Sequence, residues 1–405
     1  MIYKSRKYCL SCNKSNLKEI MNLGLHSYAD RFIPKKLLKK KDPKFPLILQ
    51  LCKKCNFIQS KIITPAKDRY STVEYSYTSS NSDYAKDHWR EFSRYLEKKF
   101  ILKNKKIIEI GSNDGFLSEI LQKKGAKVLC VDASELMIKL SKKKKLKSIH
   151  SIFDYKQSRL IKEIFGPADI IIANNVFNHA NNPTDFIKGV KNLLVTKSGV
   201  FIFEQPDFTV GALTHKFDQI YHEHVSYFTA TNIKNIIEKN NLKIKHISKN
   251  KYHGGSLRTI AGFHKIGKTS KNLLIYLKNE NMNKIYSIGF YQKLMKKIYE
   301  NKILINKKID KLKNNNFTIV GIGAGAKCNT FLTYNDLDDK KIDFITDSSR
   351  LKQNKYTPST KILIKDDNEI KKYKKIACII LIWNISKIVV KNIKQINNKV
   401  KFIRT

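Results

Sequence analysis

Long apolar runs are missing from this 405-residue chain. A bilayer-spanning helix needs about 20 consecutive apolar residues, and the longest candidate, Ile376 to Ile385, is strand-like and far shorter. No membrane partner is therefore expected. Met1 to Leu10 is basic with no apolar segment behind it, so no signal peptide is expected and the chain should be cytoplasmic. A disulfide framework is missing too. The seven cysteines are an odd number, and Cys130, Cys328 and Cys378 lie among apolar or small neighbours, as packing residues do. Acidic residues are scarce, 34 against 79 lysines and arginines, giving a formal charge of +45. Such an excess can mark a nucleic-acid binder. Here the lysines are spread along the chain with abundant asparagine and isoleucine, as AT-rich codon usage would produce, and runs such as Lys142 to Lys145 read as solvated faces. No nucleic-acid partner is expected, although a basic surface would attract a diphosphate-bearing molecule.

What is present is enough for two or three domains, each with its own core. Residues 1–75 carry paired cysteines and several prolines and read as an irregular, small domain. A helix is expected from Ser82 to Lys99, then alternating elements: strands Lys106–Ile110, Lys127–Asp132, Asp169–Asn174 and Gly199–Glu204, with helices Phe116–Lys124, Glu135–Lys142 and Pro183–Leu194 between them. That alternation predicts an α/β domain over 76–245 with a mainly parallel, doubly wound sheet. Leu273 to Asn314 is long, polar and helical in pattern. A second α/β unit, within a domain spanning 246–405, would use strands Phe317–Ile322, Ile342–Thr346 and Ile376–Ile382.

Cys9-Leu-Ser-Cys12 and Cys52-Lys-Lys-Cys55 form two CxxC pairs. A two-residue gap lets both thiolates of a pair turn onto one ion, and two pairs complete a tetrahedron, so Cys9, Cys12, Cys52 and Cys55 are expected to hold zinc. Four cysteines leave no open position, which assigns the metal to folding rather than to chemistry.

The run Ile107-Ile-Glu-Ile-Gly-Ser-Asn-Asp-Gly115 is a strand entering a glycine turn and then a helix. Asp132 ends the next strand, where a carboxylate can accept from the two hydroxyls of a ribose. A nicotinamide dinucleotide would want GxGxxG, whereas the pattern here is GxxxG preceded by Glu109. This form resembles the first motif of the class I S-adenosylmethionine-dependent methyltransferases, and a Rossmann-like fold of that class is expected. The resemblance implies a cofactor site built from Glu109, Gly111, Asn113, Asp114, Gly115, Asp132, Asn174 and Asn175.

Tyr221-His-Glu-His224 places four polar side chains in a row beyond the expected fifth strand. Imidazole titrates near neutrality and can remove a proton, a carboxylate can orient it, and a phenol can donate to a developing oxyanion. The alternative is a histidine-rich surface loop. With the CxxC pairs, Glu-Ile-Gly-Ser-Asn-Asp-Gly-Phe116, Tyr252-His-Gly-Gly-Ser-Leu-Arg258, Gly-Ala-Gly-Ala-Lys327, Lys352-Gln-Asn-Lys-Tyr-Thr-Pro358 and Leu381-Ile-Trp-Asn384 in this order, the chain resembles the nucleotide-sugar C-methyltransferases, which act on nucleotide-linked 4-keto deoxysugars. The resemblance implies His224 as the base and Tyr221, Glu223 and His179 as groups that orient it or stabilise the enolate. Tyr75 or Tyr77 would complete the pocket. A nucleotide-linked sugar is the expected partner, and a monomer or dimer is expected.

Val320-Gly-Ile-Gly-Ala-Gly-Ala326, with Asp347 ending the next strand, could be read as a nicotinamide site and the chain as an oxidoreductase. The resemblance instead implies that Gly323, Lys327 and Asp347 contribute to the nucleotide end of the sugar substrate, with His222, His253 and Arg258 also lining its pocket. An O- or N-methyl acceptor stays open, because a fold does not choose a nucleophile.

Overall fold

The computed structural model describes residues 3–65, 68–69, 78–80, 82–196, 198–263 and 270–403. Tyr75 and Tyr77 lie outside the described residues.

The central domain is a seven-stranded sheet in the order Lys243–Asn250, Ser256–Gly262, Val200–Pro206, Ile170–Ile172, Lys106–Ile110, Lys127–Asp132, Lys147–His150. Ser256–Gly262 runs antiparallel to both neighbours, while the pairs from Val200–Pro206 to Lys147–His150 are parallel. The inner strands are continuous apolar runs because helices cover both faces. The first helix, Asp83–Lys99, buries Trp89, Phe92 and Leu96 against one face. Its start is fixed by Ser82, whose hydroxyl accepts from the Ala85 N–H. Helices Tyr155–Phe165, Pro183–Leu193 and Ala230–Lys239 follow on, with Ile161, Phe186, Val190, Ile233 and Ile236 in the core of the other face. The hairpin 243–262 straddles the expected division between residues 245 and 246.

The N-terminal region differs from its expected irregularity. Leu17–His26, Phe45–Cys52 and Ile58–Ser60 form an antiparallel sheet, whose fourth strand, Ser226–Tyr227, comes from the central domain. The prolines fall at strand ends, so the sheet tolerates them: Pro46 sits near the start of its strand and Pro34 ends the short strand Ile33–Pro34. Leu47, Leu49 and Leu51 are buried in a cluster with Tyr291, Leu294 and Ile298.

The polar helical stretch is two helices, Lys271–Met282 and Ile288–Asn314, divided by a break. The C-terminal domain then forms a five-stranded parallel sheet in the order Ile364–Lys365, Phe344–Thr346, Thr318–Ile322, Ile376–Ile380, Lys401–Ile403. In both α/β sheets the first strand has its chain-order successor on one side and a later strand on the other, which opens a crevice beyond its carboxyl end. Among the described residues no helix is long and apolar enough to cross a membrane.

Candidate active site

The two crevices open into one cavity of about 650 Å³. Its wall takes Glu109, Gly111, Asn113, Asp132, Asn174 and Asn175 from the central sheet, His179, Tyr221, His224 and His253 from the loops above it, and Lys327 and Asp347 from the C-terminal sheet.

Gly111 and Asn113 have positive φ, 69° and 52°. A Cβ on Gly111 would lie 2.8 Å from the Val176 side chain, so glycine is required for this approach of the turn to the next loop. The Gly111 N–H donates to the Val131 carbonyl at 2.7 Å, which ties the turn to the second strand. Asp132 accepts from the Asn113 N–H and the Ser134 N–H, both at 2.8 Å. Glu109 accepts from the Ser118 hydroxyl. Burial holds it up at about 8, with Asp114 and Asp132 adding to the shift. Asn174 Nδ2 and Asn175 Oδ1 are buried polar atoms without a hydrogen-bond partner among the described residues, and both residues line the cavity. Orphaned polar atoms of this kind fit a bound polar ligand, and they lie beside the carboxylates of the first crevice.

Two residues expected at the cofactor do not line the cavity. Asp114 is turned to the hydroxyls of Ser79 and Ser80. Gly115, at φ 75°, packs against Leu146 and begins the helix Phe116–Lys123.

Tyr221 and His224 face the cavity, and the two residues between them face the zinc-binding domain. His224 Nδ1 donates to the Gln219 carbonyl at 2.9 Å, which leaves Nε2 with the lone pair. Burial, reinforced by Lys327 and Arg69, pushes this imidazole down to about 3, so it is neutral at physiological pH. The Tyr221 ring lies 4.0 Å from it and His179 lies 4.8 Å away, nearly perpendicular (centroid distances). His179 and His253 are also driven well below the ordinary imidazole range, first by burial.

His222, expected at the substrate, instead meets the Phe45 carbonyl through Nε2 and packs on Tyr28 and Phe45. Glu223 is likewise turned away from the cavity: Oε1 accepts from the Asp30 N–H at 3.2 Å, and burial beside Asp30 raises its carboxyl to about 7. Arg258, also expected there, is buried in an ion-pair cluster with Glu204 and Glu91 under the Tyr95 ring. Gly323 holds a turn at φ 92° against Ile382 rather than lining the wall. Lys327 does line it. Its ammonium donates to Asn384 Oδ1 at 2.6 Å, lies 4.7 Å above the Trp383 ring, and is pulled down to about 8 by burial. Asp347 accepts from the Ala324 N–H at 2.7 Å and the Ser349 N–H at 2.8 Å.

Sequence reasoning missed Asp30, Gln219, Lys352 and Asn384 in the wall. Lys352 and Asn384 each stood within a motif that resembles the family's, which was the nearest signal for either. Asp30, from the N-terminal domain, had none.

The four thiols of Cys9, Cys12, Cys52 and Cys55 gather within 4.8 Å of one another. Cys9–Cys55 and Cys12–Cys52 are each 3.6 Å apart, near the ~3.8 Å that a tetrahedron with zinc–sulfur bonds of about 2.3 Å gives. Each pair sits on a similar turn: the Asn13 N–H donates to the Cys9 carbonyl and the Asn56 N–H to the Cys52 carbonyl, with both asparagines at positive φ. The donor set and spacing fit a structural zinc ion.

Three family models match in chain order: "Putative zinc binding domain" over residues 9–70, "Methyltransferase domain" over 82–247, and "C-methyltransferase C-terminal domain" over 251–405. The chain is an S-adenosylmethionine-dependent methyltransferase. It is similar along its length to the C-methyltransferase NovU of Streptomyces niveus, 22% identical over 401 residues, covering 98% of this chain and 94% of that protein. A ubiquinone biosynthesis O-methyltransferase of Pseudomonas aeruginosa is 25% identical over 111 residues, 27% of this chain and 47% of that protein. Among solved structures, magnesium protoporphyrin IX methyltransferase from Synechocystis, with bound SAH, aligns over 44% of this chain and 83% of its own at 18% identity and a TM-score of 0.36. In this C-methyltransferase-like enzyme the glycine turn of the C-terminal domain belongs to a methyltransferase, not to a nicotinamide oxidoreductase.

Proposed function

We propose that this methyltransferase places the methyl group on a ring carbon of a nucleotide-linked 4-keto deoxysugar. The observation that carries the reading is His224: a neutral imidazole, fixed through Nδ1, in the cavity that joins the cofactor crevice to a lysine-bearing second crevice. When bound, S-adenosylmethionine supplies an electrophilic methyl group on a sulfonium. Asp132, Asn174 and Asn175 would hold it in the first crevice.

The ketone acidifies the hydrogen on the neighbouring ring carbon. His224 Nε2 takes that proton, and the C–H electron pair becomes the enolate. An imidazolium is disfavoured in this buried position until a negative charge forms beside it, so protonation of His224 and enolate formation favour each other. Tyr221 and His179 line the same wall and can orient the imidazole or donate to the oxyanion. Lys327, Lys352 and Asp347 would receive the nucleotide end.

The test uses the zinc-loaded enzyme with a dTDP-linked 4-keto-6-deoxyhexose in deuterated water. We expect deuterium to enter beside the ketone and, with the methyl donor added, one methyl group to appear on that carbon. His224→Ala should lower both by about 10²- to 10⁴-fold, with S-adenosylmethionine affinity within a few-fold of wild type. A methyl group found on oxygen, or unchanged turnover in the variant, would overturn the reading.

A further inference from the structure

Arg69 belongs to no motif in the sequence and is 2% exposed. It follows the N-terminal sheet in the chain, yet its guanidinium reaches into the central domain. Nη1 donates to the His179 carbonyl at 3.2 Å and the Glu223 carbonyl at 3.0 Å, and Nη2 donates to Asn181 Oδ1 at 2.6 Å. These acceptors sit on two loops that are distant in sequence: the turn Phe177–His179 and the segment that follows Gln219. A backbone bond from the Val225 N–H to the Asn178 carbonyl, 2.9 Å, joins the same two loops.

We infer that Arg69 is a positioning residue, which sets the placement of His179 against His224 by clamping the main chain at His179 and next to His224. The role assigned to the two imidazoles rests on the proposed function; the clamp itself does not. A guanidinium suits the task because its donors lie in one rigid plane and can serve two loops at once, whereas an ammonium is a point charge on a flexible stem. Arg69 also acts on the Glu223 carboxyl electrostatically, though burial beside Asp30 outweighs it. The His179 and His224 centroids are 4.8 Å apart at 84°, and a displacement of about 1 Å at such a site can cost about 10²-fold in rate.

The experiment compares wild type, Arg69→Lys and Arg69→Met as zinc-loaded full chains. Zinc content and calorimetric binding of S-adenosylmethionine are measured first. The ¹⁵N spectrum of labelled histidines is then recorded with the donor bound, and kinetics with the dTDP-linked 4-keto-6-deoxyhexose follow. We expect Arg69→Lys to keep zinc, donor affinity and acceptor KM, to lose about 10- to 100-fold in kcat, and to shift the His179 and His224 imidazole resonances. Arg69→Met should do the same to a larger extent. Unchanged kcat and imidazole resonances in both variants would overturn the inference. So would loss of zinc or donor binding in step with activity, because Arg69 would then act through stability alone. If wild type fails to methylate this acceptor, the proposed function falls, and the imidazole spectra still decide the role of Arg69.

Discussion

The two α/β sheets solve the same backbone problem and charge it differently. After each first strand a glycine at positive φ, Gly111 or Gly323, donates its N–H at 2.7 Å to the end of the second strand. An aspartate stands at the end of that strand, Asp132 as its last residue and Asp347 just beyond it, and its two oxygens accept backbone N–H groups from the turn and from two residues onward. The side chains then diverge. Around the first crevice stand Asp132, Asp154 and Asp185, with Glu109 kept protonated near neutrality by burial, while the second presents Lys327 and Lys352 beside the single carboxylate of Asp347. An acidic pocket suits a sulfonium and a basic one suits a diphosphate. A shared turn therefore does not choose a ligand; the charges set around it do.

That contrast can be broken from either side. Asp132→Ala should weaken S-adenosylmethionine by about 100-fold in calorimetry, the cost of losing hydrogen bonds to a charged acceptor, and leave acceptor KM near wild type. An equal loss on both ligands would show that the crevices are not separate. Lys327→Met should raise acceptor KM by about 10-fold, roughly 1.4 kcal/mol, with donor affinity unchanged; a selective effect on the donor would reverse the assignment. A separate prediction concerns Glu109 and pH. Its folded value, about 8, lies above the ordinary carboxylate value. The folded state thus holds this proton longer than the unfolded chain does, and stability falls as pH rises through the interval from about 4.5 to about 8. Glu109→Gln should flatten that part of the Tm-against-pH curve. The same slope in the variant would mean that other groups produce it.

The inner parallel strands and the acid that ends the second were legible because apolar runs followed by glycine or aspartate carry their own punctuation, whereas the short parallel strands Lys147–His150 and Ile364–Lys365 lack it and were not. The hairpin 243–262 was not. Lys243–Asn250 is polar, half-buried and interrupted by a bulge, so its period is blurred. In the segment from Tyr221 to His224 the residue types were legible, but their directions were not. Tyr221 and His224 stand three apart and share the cavity, while His222 and Glu223 turn to the other domain. Only a folded turn decides which of four consecutive polar residues points where. Arg258 read as a substrate group because its partner is invisible in sequence: strand register sets Glu204 directly opposite. Asp30 enters the cavity wall through contact between domains, which no local pattern encodes.

The borrowed strand Ser226–Tyr227 has a consequence for biosynthesis. Ile58–Ser60 pairs with Phe45–Cys52 on one side and with this late segment on the other. As the chain leaves the ribosome, the cysteine-bearing sheet carries an unfinished edge until the histidine loop has been made. An open edge invites the wrong neighbour. Early metal capture would steady the nascent sheet during that wait, and the histidine segment, on arriving, would close the edge and acquire its own shape in one event.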